Sequence, residues 1–275
     1  MKLSEIYGLA NQLAPKTLSD AYCAQCNGYD NSGVLVDTGE DIHGVLFTLD
    51  FSFAAIEKAM ALGANLIITH HPAMYGKINH ARIDADDLTE RKIVKCLRNG
   101  ISVISMHLNL DCAVDGVDES LCKGIWDSAL KTNPQDGAVL CVTSLMHPIA
   151  DSGYGRVYDV PQTSIGALAC EMKKTFETNK VLVYGDLERK IERVASFCGA
   201  GADEAAVMFA KKAGAQVIVS SDFKHHVLTM ALEMGMSVIV LTHYASENYG
   251  MKKYYEKIRG QMNIPCAYHT DENLL

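Results

Sequence analysis

Several features that mark common protein classes are absent from this sequence. No uninterrupted apolar run approaches the roughly 18 residues that a membrane-spanning helix needs. The N-terminal residues Met1 to Ile6 include charges where a signal peptide has its apolar run. A formal charge of -8 at pH 7 argues against a broad basic surface for nucleic acid. We therefore expect a cytoplasmic protein that does not bind membranes, and nucleic-acid binding becomes a minor hypothesis.

Three motifs of common enzyme classes are also missing. The sequence has no nucleophile elbow of the GxSxG type, no Walker loop and no complete Rossmann fingerprint, so serine hydrolases, P-loop enzymes and dehydrogenases lose their usual support. The nine cysteines are scattered and odd in number, which favours reduced thiols over a disulfide framework. One CxxC, Cys23 to Cys26, has no second pair to complete a zinc site. Gly199-Ala200-Gly201 could cradle an anion, but a lone GxG is more often a tight turn.

A duplicated βαβ pattern organises the chain, which at 275 residues and 48% hydrophobic content can bury large cores. Residues 44–50 predict a strand, about 52–62 a helix, and 63–69 a second strand; 193–199, about 203–213 and 214–220 repeat this order. Each half continues with another helix and a strand, at 100–104 and 235–239. Ser52, either Thr163 or Ser164, and Asp203 are predicted helix caps, because their side chains can accept hydrogen bonds from first-turn amides.

Each half also begins with a helix and a strand of its own. These elements are predicted near 3–13 and 33–36 in the first half and near 164–176 and 180–184 in the second. The sequence thus predicts an α/β fold of two duplicated α-β-(βα)3 units with mostly parallel mixed sheets. The turn-forming segment 131–137 places the boundary between a first repeat, 1–130, and a second, 131–275.

Histidines and acidic residues cluster just after the predicted strands. A packed core explains one histidine at the end of the apolar run Leu66 to Thr69, but two consecutive ones, His70 and His71, require a common explanation. Two further strands are each followed by a histidine, three residues and an acid, as His107 with Asp111 and His243 with Glu247. Open α/β sheets bind their ligands at the carboxyl ends of strands, so this clustering indicates a functional site.

The chemistry of these side chains predicts a metal site. The five strongest donors are His70, His71, Asp111, His243 and Glu247. A mixture of imidazole nitrogen and carboxylate oxygen suits zinc, manganese, iron, cobalt or nickel, whereas calcium and magnesium favour oxygen alone. Five donors that include an acid able to bridge indicate two divalent ions per chain, roughly 3.5–4 Å apart, with positions left for an activated water.

Other polar residues near the predicted strand ends are candidates for supporting roles. His107 and Asp222 could orient metal ligands, and His226 could move protons or contact substrate. For each of the three, an ordinary structural hydrogen bond is the alternative. Four other histidines have no such context and are expected at the surface, namely His43, His80, His147 and His269.

The motifs together resemble the family named for the NGG-one-interacting factor three, also called YbgI-like and often labelled GTP cyclohydrolase 1 type 2 homologue. The resemblance extends over nearly the whole chain. It is carried by Asp30 to Leu35, Leu49-Asp50, Ile68 to Pro72, His107 to Asp111, Cys198 to Gly201, Ser221 to His226 and Thr242 to Glu247. The chain departs from the family pattern at Tyr29, Ser221 and Thr242, where the family has tryptophan, glycine and glycine, and these departures leave every metal donor in place.

The resemblance implies specific properties. It places a dinuclear metal centre on the same five donors, and it implies two intertwined α/β repeats assembled into a toroidal homohexamer with the sites facing an internal cavity. The interval from about 131 to 161 is too short for the third domain that some members insert.

These observations predict a dinuclear metal-dependent hydrolase of a small molecule, with GTP cyclohydrolase activity implied by the resemblance alone. One alternative is a non-catalytic metal-binding or regulatory partner protein. Another is a ring that encloses nucleic acid, against which the acidic composition argues.

Overall fold

The computed structural model describes residues 1–76 and 87–275. Within these residues the chain forms ten helices and eleven strands. The helices are α1 (Leu3–Leu13), α2 (Lys16–Cys26), α3 (Phe53–Leu62), α4 (Leu88–Arg98), α5 (Leu108–Asp111), α6 (Val117–Thr132), α7 (Ile165–Thr175), α8 (Glu204–Lys212), α9 (His225–Glu233) and α10 (His243–Arg259). No helix among the described residues has the length and apolar character needed to cross a membrane.

The strands form two mixed sheets. They are β1 (Gly33–Val36), β2 (Val45–Thr48), β3 (Leu66–Thr69), β4 (Ser102–Ser105), β5 (Cys141–Ile149), β6 (Ser152–Ser164), β7 (Val181–Tyr184), β8 (Lys190–Ser196), β9 (Val217–Ser220), β10 (Ser237–Leu241) and β11 (Cys266–His269). The chain divides into two compact units, one of Met1–Gly116 with Met251–Thr270 and one of Val117–Gly250 with Asp271–Leu275.

The first unit contains a five-stranded sheet in the order β1-β4-β3-β2-β11. Strands β4, β3, β2 and β11 run parallel, and β1 pairs antiparallel with β4. Leu46, Ile67 and Val103 on neighbouring strands belong to one buried cluster with Ile56 of α3 and Ile93 of α4. The strands β2, β3 and β4 are buried at every residue, as expected for parallel strands covered on both faces.

The second unit contains a six-stranded sheet in the order β5-β6-β8-β9-β10-β7. Its strands β8, β9, β10 and β7 have the same order and directions as β2, β3, β4 and β1 of the other sheet, with the last strand antiparallel in each case. The predicted α/β fold with two duplicated units and mixed sheets is therefore confirmed. The repeat boundary at residue 131 stays a prediction.

The predicted helix caps are confirmed. The side chains of Ser52, Ser164 and Asp203 each accept a hydrogen bond from a first-turn backbone amide. Among the features that were not predicted are helix α2, whose last turn carries the CxxC, the antiparallel hairpin of β5 and β6 in the interval between the halves, and the edge strand β11.

Candidate metal centre

Three parallel strands of the first unit end at the same level. Thr48 of β2 pairs in register with Thr69 of β3, which pairs with Ser105 of β4. The hydroxyls of Thr69 and Ser105 lie 2.9 Å apart, and the Thr69 hydroxyl donates to the carbonyl of His71 at 2.7 Å. This register brings the residues that follow β3 and β4 to one edge of the sheet.

His70 and His71 are each held through one ring nitrogen. His70 is fully buried, and its Nδ1 lies 2.8 Å from the carbonyl oxygen of Met106. Nδ1 of His71 lies 2.7 Å from Oδ1 of Asp50. Because a carbonyl or an ionised carboxylate can only accept, each Nδ1 carries the proton and each Nε2 presents its lone pair. This is the arrangement of a metal-ligating histidine.

His107 is anchored in the same way by Asp30. The distance from His107 Nδ1 to Asp30 Oδ1 is 2.7 Å, and Asp30 also accepts bonds from the hydroxyls of Ser19, at 2.7 Å, and Ser32. Burial opposes the charged form of Asp30, but hydrogen bonding with His107 and the two serines outweighs it. The pKa of the Asp30 carboxyl is therefore held well below its usual range.

The three histidines form one cluster in the first unit. The ring centroids of His70 and His107 are 5.3 Å apart, and one ligand nitrogen from each of the three residues lies within 4.8 Å of the others. Helix α5 adds Asp111, which is buried and whose Oδ1 lies 3.5 Å from Nε2 of His70. This group of side chains has the composition and spacing to hold a metal ion.

The second unit contains a pair of donors of its own. His243 and Glu247 lie one turn apart at the start of α10, with His243 Nε2 2.9 Å from Glu247 Oε2. The distance from His243 Nδ1 to Asp222 Oδ2 is 2.5 Å, so the proton resides on Nδ1 and a lone pair faces the Glu247 carboxylate. Two acceptors in such proximity require a cation, either a proton or a metal ion. The donor chemistry therefore fits a metal.

Gly199 forms the wall against which this pair packs. Its φ of +54° lies in the left-handed region that favours glycine. A Cβ added there would overlap Oε1 of Glu247 and lie 3.1 Å from Nε2 of His243. The GxG segment thus gives the carboxylate room, because any side chain at residue 199 would displace it.

The structure also locates the remaining predicted site residues. His107 joins the histidine cluster, and Asp222 binds a predicted ligand, His243. His226 lies exposed on α9, with Nε2 2.7 Å from Oε1 of Glu204. Of the histidines expected at the surface, His43 is exposed, His147 and His269 are half-buried, and His80 lies outside the described residues.

Sequence reasoning did not assign roles to Asp30 and Asp50, which hold His107 and His71. Both lie in segments that carried the family resemblance, but neither has a histidine within a few residues of it in the sequence. Their pairing with histidine arises only when distant segments come together.

Comparison with known proteins agrees with this architecture. The sequence model of Duf34/NIF3 (NGG1p interacting factor 3) matches residues 1–272. A protein of Clostridium perfringens named GTP cyclohydrolase 1 type 2 homolog is 28% identical over 278 residues, covering 98% of this chain and 95% of its own.

Two solved structures have a similar fold. A Staphylococcus aureus protein superposes with a TM-score of 0.79 at 22% sequence identity, and the match covers 98% of this chain and 97% of the Staphylococcus aureus chain. A Bacillus cereus protein described as related to NIF3 superposes with a TM-score of 0.75 at 18% identity, with the same coverage. Because the sequence model spans almost the entire chain, this protein belongs to the Duf34/NIF3 (NGG1p interacting factor 3) family.

Proposed function

We propose that this protein binds two divalent transition-metal ions through His70, His71, Asp111, His243 and Glu247 and uses them to hydrolyse a small molecule. The observation that carries the proposal is the shared arrangement of the histidines. His70, His71 and His243 are each bound at Nδ1 to a carbonyl or carboxylate oxygen, so that the lone pair of each ring is on Nε2, as in metal-ligating histidines.

The proposal requires the donors of the two units to act together. Each unit holds part of the donor set: one contains His70, His71 and Asp111, and the other contains His243 and Glu247. Within each part the ligand atoms are close together, because Nε2 of His70 lies 3.5 Å from Oδ1 of Asp111 and Nε2 of His243 lies 2.9 Å from Oε2 of Glu247.

The proposed chemistry assigns distinct tasks to the protein's own groups. When bound, a pair of divalent ions lowers the pKa of a water and polarises a substrate oxygen. Asp50 and Asp222 orient ligand rings through Nδ1, and their charge makes each imidazole a better donor. We propose His107, Asp222 and His226 as residues that support proton transfer or ligand orientation, with His226 placed to exchange protons because its side chain is 62% exposed.

The metal and substrate classes follow from the donor set. Mixed nitrogen and oxygen ligands fit zinc, manganese, iron, cobalt or nickel. Relatives named GTP cyclohydrolase 1 type 2 homolog make nucleotides the first substrates to test, followed by other phosphoesters and small amides. We further propose a cytoplasmic homohexamer.

A non-catalytic metal-binding protein is the second candidate, and the burial of the donors favours it. His70, Asp111 and Glu247 are 0%, 4% and 3% exposed, as in a closed structural site. The His243 side chain, by contrast, is 32% exposed, which leaves access for water and substrate. This contrast between buried and accessible donors is the reason that we prefer the catalytic proposal.

Metal content and activity together test the proposal. We expect close to two ions per wild-type chain by elemental analysis, with a sharp fall in His71→Ala and Glu247→Ala. The matched controls are His43→Ala and Glu256→Ala, which change exposed residues, the second on the same helix as Glu247. Wild-type metal content in the first two variants would remove those residues from the site.

The activity assay screens nucleotides, phosphoesters and amides with added Mn²⁺ or Zn²⁺. We expect a hydrolytic activity that chelator abolishes and that Asp111→Asn greatly weakens, because this change keeps the side-chain size and removes the charge. Inactivity across a broad panel with both ions bound would favour the non-catalytic candidate.

A further inference from the structure

We infer that Tyr154 and Asp118 are positioning residues for the His243–Glu247 half of the metal centre. The two residues act on the backbone turn at Cys198 and Gly199, against which the Glu247 carboxylate packs. The inference rests on the proposed function, because it assumes that this carboxylate binds metal. It assigns a role to a buried polar network that lies outside the donor set itself.

The peptide groups of Cys198 are held on both sides. The Tyr154 hydroxyl donates to the Cys198 carbonyl oxygen at 2.7 Å. The Cys198 amide donates to Oδ1 of Asp118 at 3.2 Å, across 80 residues of sequence. Tyr154 also lies against Gly201, where an added Cβ would overlap its hydroxyl. The turn is therefore fixed by two side chains from elements outside it.

Asp118 is held in place by its own partners, which oppose the burial that raises the pKa of its carboxyl to about 6. It is fully buried, and its Oδ2 accepts bonds from the Gly155 amide at 3.1 Å and from Nη1 of Arg156 at 3.2 Å. Arg156 is 2% exposed and also donates through Nη2 to the Ser152 hydroxyl at 2.8 Å. A buried charge pair of this kind is a costly way to stabilise a fold, because both charges lose water.

The position of the turn directly limits the position of the Glu247 carboxylate. Gly199 leaves no room for even one methyl group beside Glu247 Oε1, so movement of the turn changes the space open to the carboxylate. The Ser220 hydroxyl, at 3.2 Å from the Gly199 carbonyl, and the Ser246 hydroxyl, at 3.4 Å from the Gly199 amide, hold the same residue from other elements. Loss of Tyr154 or Asp118 should therefore make the turn more mobile, while the hydrogen bonds from the two serines keep it folded.

The test compares two tyrosine variants from the same strand in the full-length protein. Tyr154→Phe removes only the hydroxyl that binds Cys198. The control, Tyr158→Phe, removes a hydroxyl from another buried tyrosine of β6, which pairs with Val194. We expect the Kd for Mn²⁺, measured by calorimetry, to rise about tenfold in Tyr154→Phe, the lower end of the range for residues that orient ligands. We expect it to stay at the wild-type value in Tyr158→Phe.

A second measurement does not depend on metal. In the metal-free protein, the side-chain nitrogen resonances of His243 should shift in Tyr154→Phe and remain in place in Tyr158→Phe. Asp118→Asn should change both readouts in the same direction as Tyr154→Phe, since its amide group cannot accept at both positions.

The possible outcomes separate the inference from the proposed function. A wild-type protein that binds no Mn²⁺ contradicts the proposed metal site, while the His243 resonances still decide whether Tyr154 positions this half of the site. Wild-type Mn²⁺ affinity and unchanged His243 resonances in Tyr154→Phe overturn the inference alone. Equal losses in both tyrosine variants also overturn it, because they would reflect a general loss of stability.

Discussion

Replacement of Gly199 by alanine should damage the metal centre through a single methyl group. Residue 199 has φ +54°, and a non-glycine residue in this region costs about 1–2 kcal/mol. The added Cβ would also overlap Glu247 Oε1 and approach His243 Nε2 to 3.1 Å, so the carboxylate must move. Overpacking of this kind adds about 1–3 kcal/mol. We therefore expect Gly199→Ala to lower the free energy of unfolding by about 2–5 kcal/mol.

Gly235→Ala is the matched control in the same unit. Gly235 has φ +78° and no atom within 4 Å of an added Cβ, so it carries the backbone cost without the overlap. Urea unfolding should show a loss of about 1–2 kcal/mol for this control. Calorimetry should show wild-type Mn²⁺ affinity for Gly235→Ala and an affinity at least about tenfold weaker for Gly199→Ala. Equal Mn²⁺ affinities in the two variants would refute the argument that Gly199 shapes the metal site.

Three further predictions concern two carboxylates that bind histidines and the assembly of the protein. Asp30→Asn should cost about 1.5–3 kcal/mol at pH 7, because it removes the charged acceptor of the hydrogen bond from His107. Because the folded-state pKa of Asp30 is depressed, its contribution to the free energy of unfolding is present above the unfolded pKa and is lost as pH falls below about 4. Urea unfolding from pH 3 to 7 should therefore show a weaker loss of stability at acid pH in the variant than in the wild type. An equal loss in both proteins would contradict this. Asp222→Asn should weaken Mn²⁺ binding about tenfold because it removes the charge that orients His243, and calorimetry that gives the wild-type Kd would exclude this role. Light scattering should detect a hexamer, whereas a stable monomer of 30.0 kDa would contradict the assembly that the family resemblance implies.

The parallel core was predictable because each strand leaves a local signal. Strands β2, β3 and β4 are short apolar runs bounded by turns, and the same signal recurs in the second half as β9, β10 and the buried end of β8. The hairpin of β5 and β6 leaves a weaker signal. Most of β5 is exposed or half-buried, and β6 contains the buried Arg156. Its burial depends on Asp118, 38 residues earlier, and no local pattern encodes that pairing.

The candidate site divides in the same way. His70 and His71 stood out because adjacent strand residues face opposite sides, so local periodicity made the pair anomalous. The groups that orient the histidines could not be found by such reasoning. Asp30 lies 77 residues from His107, and Asp222 lies 21 residues from His243. These pairings depend on the register of strands and the positions of turns, which sequence patterns do not determine.

Anomalous diffraction from crystals grown with Mn²⁺ and without chelator tests the central claim most directly. The account predicts two peaks per chain, roughly 3.5–4 Å apart, as in other two-metal sites. Both peaks should lie within bonding distance of the five predicted ligands, His70, His71, Asp111, His243 and Glu247. A single peak, no peak, or two peaks bound by other residues would contradict the proposed dinuclear centre.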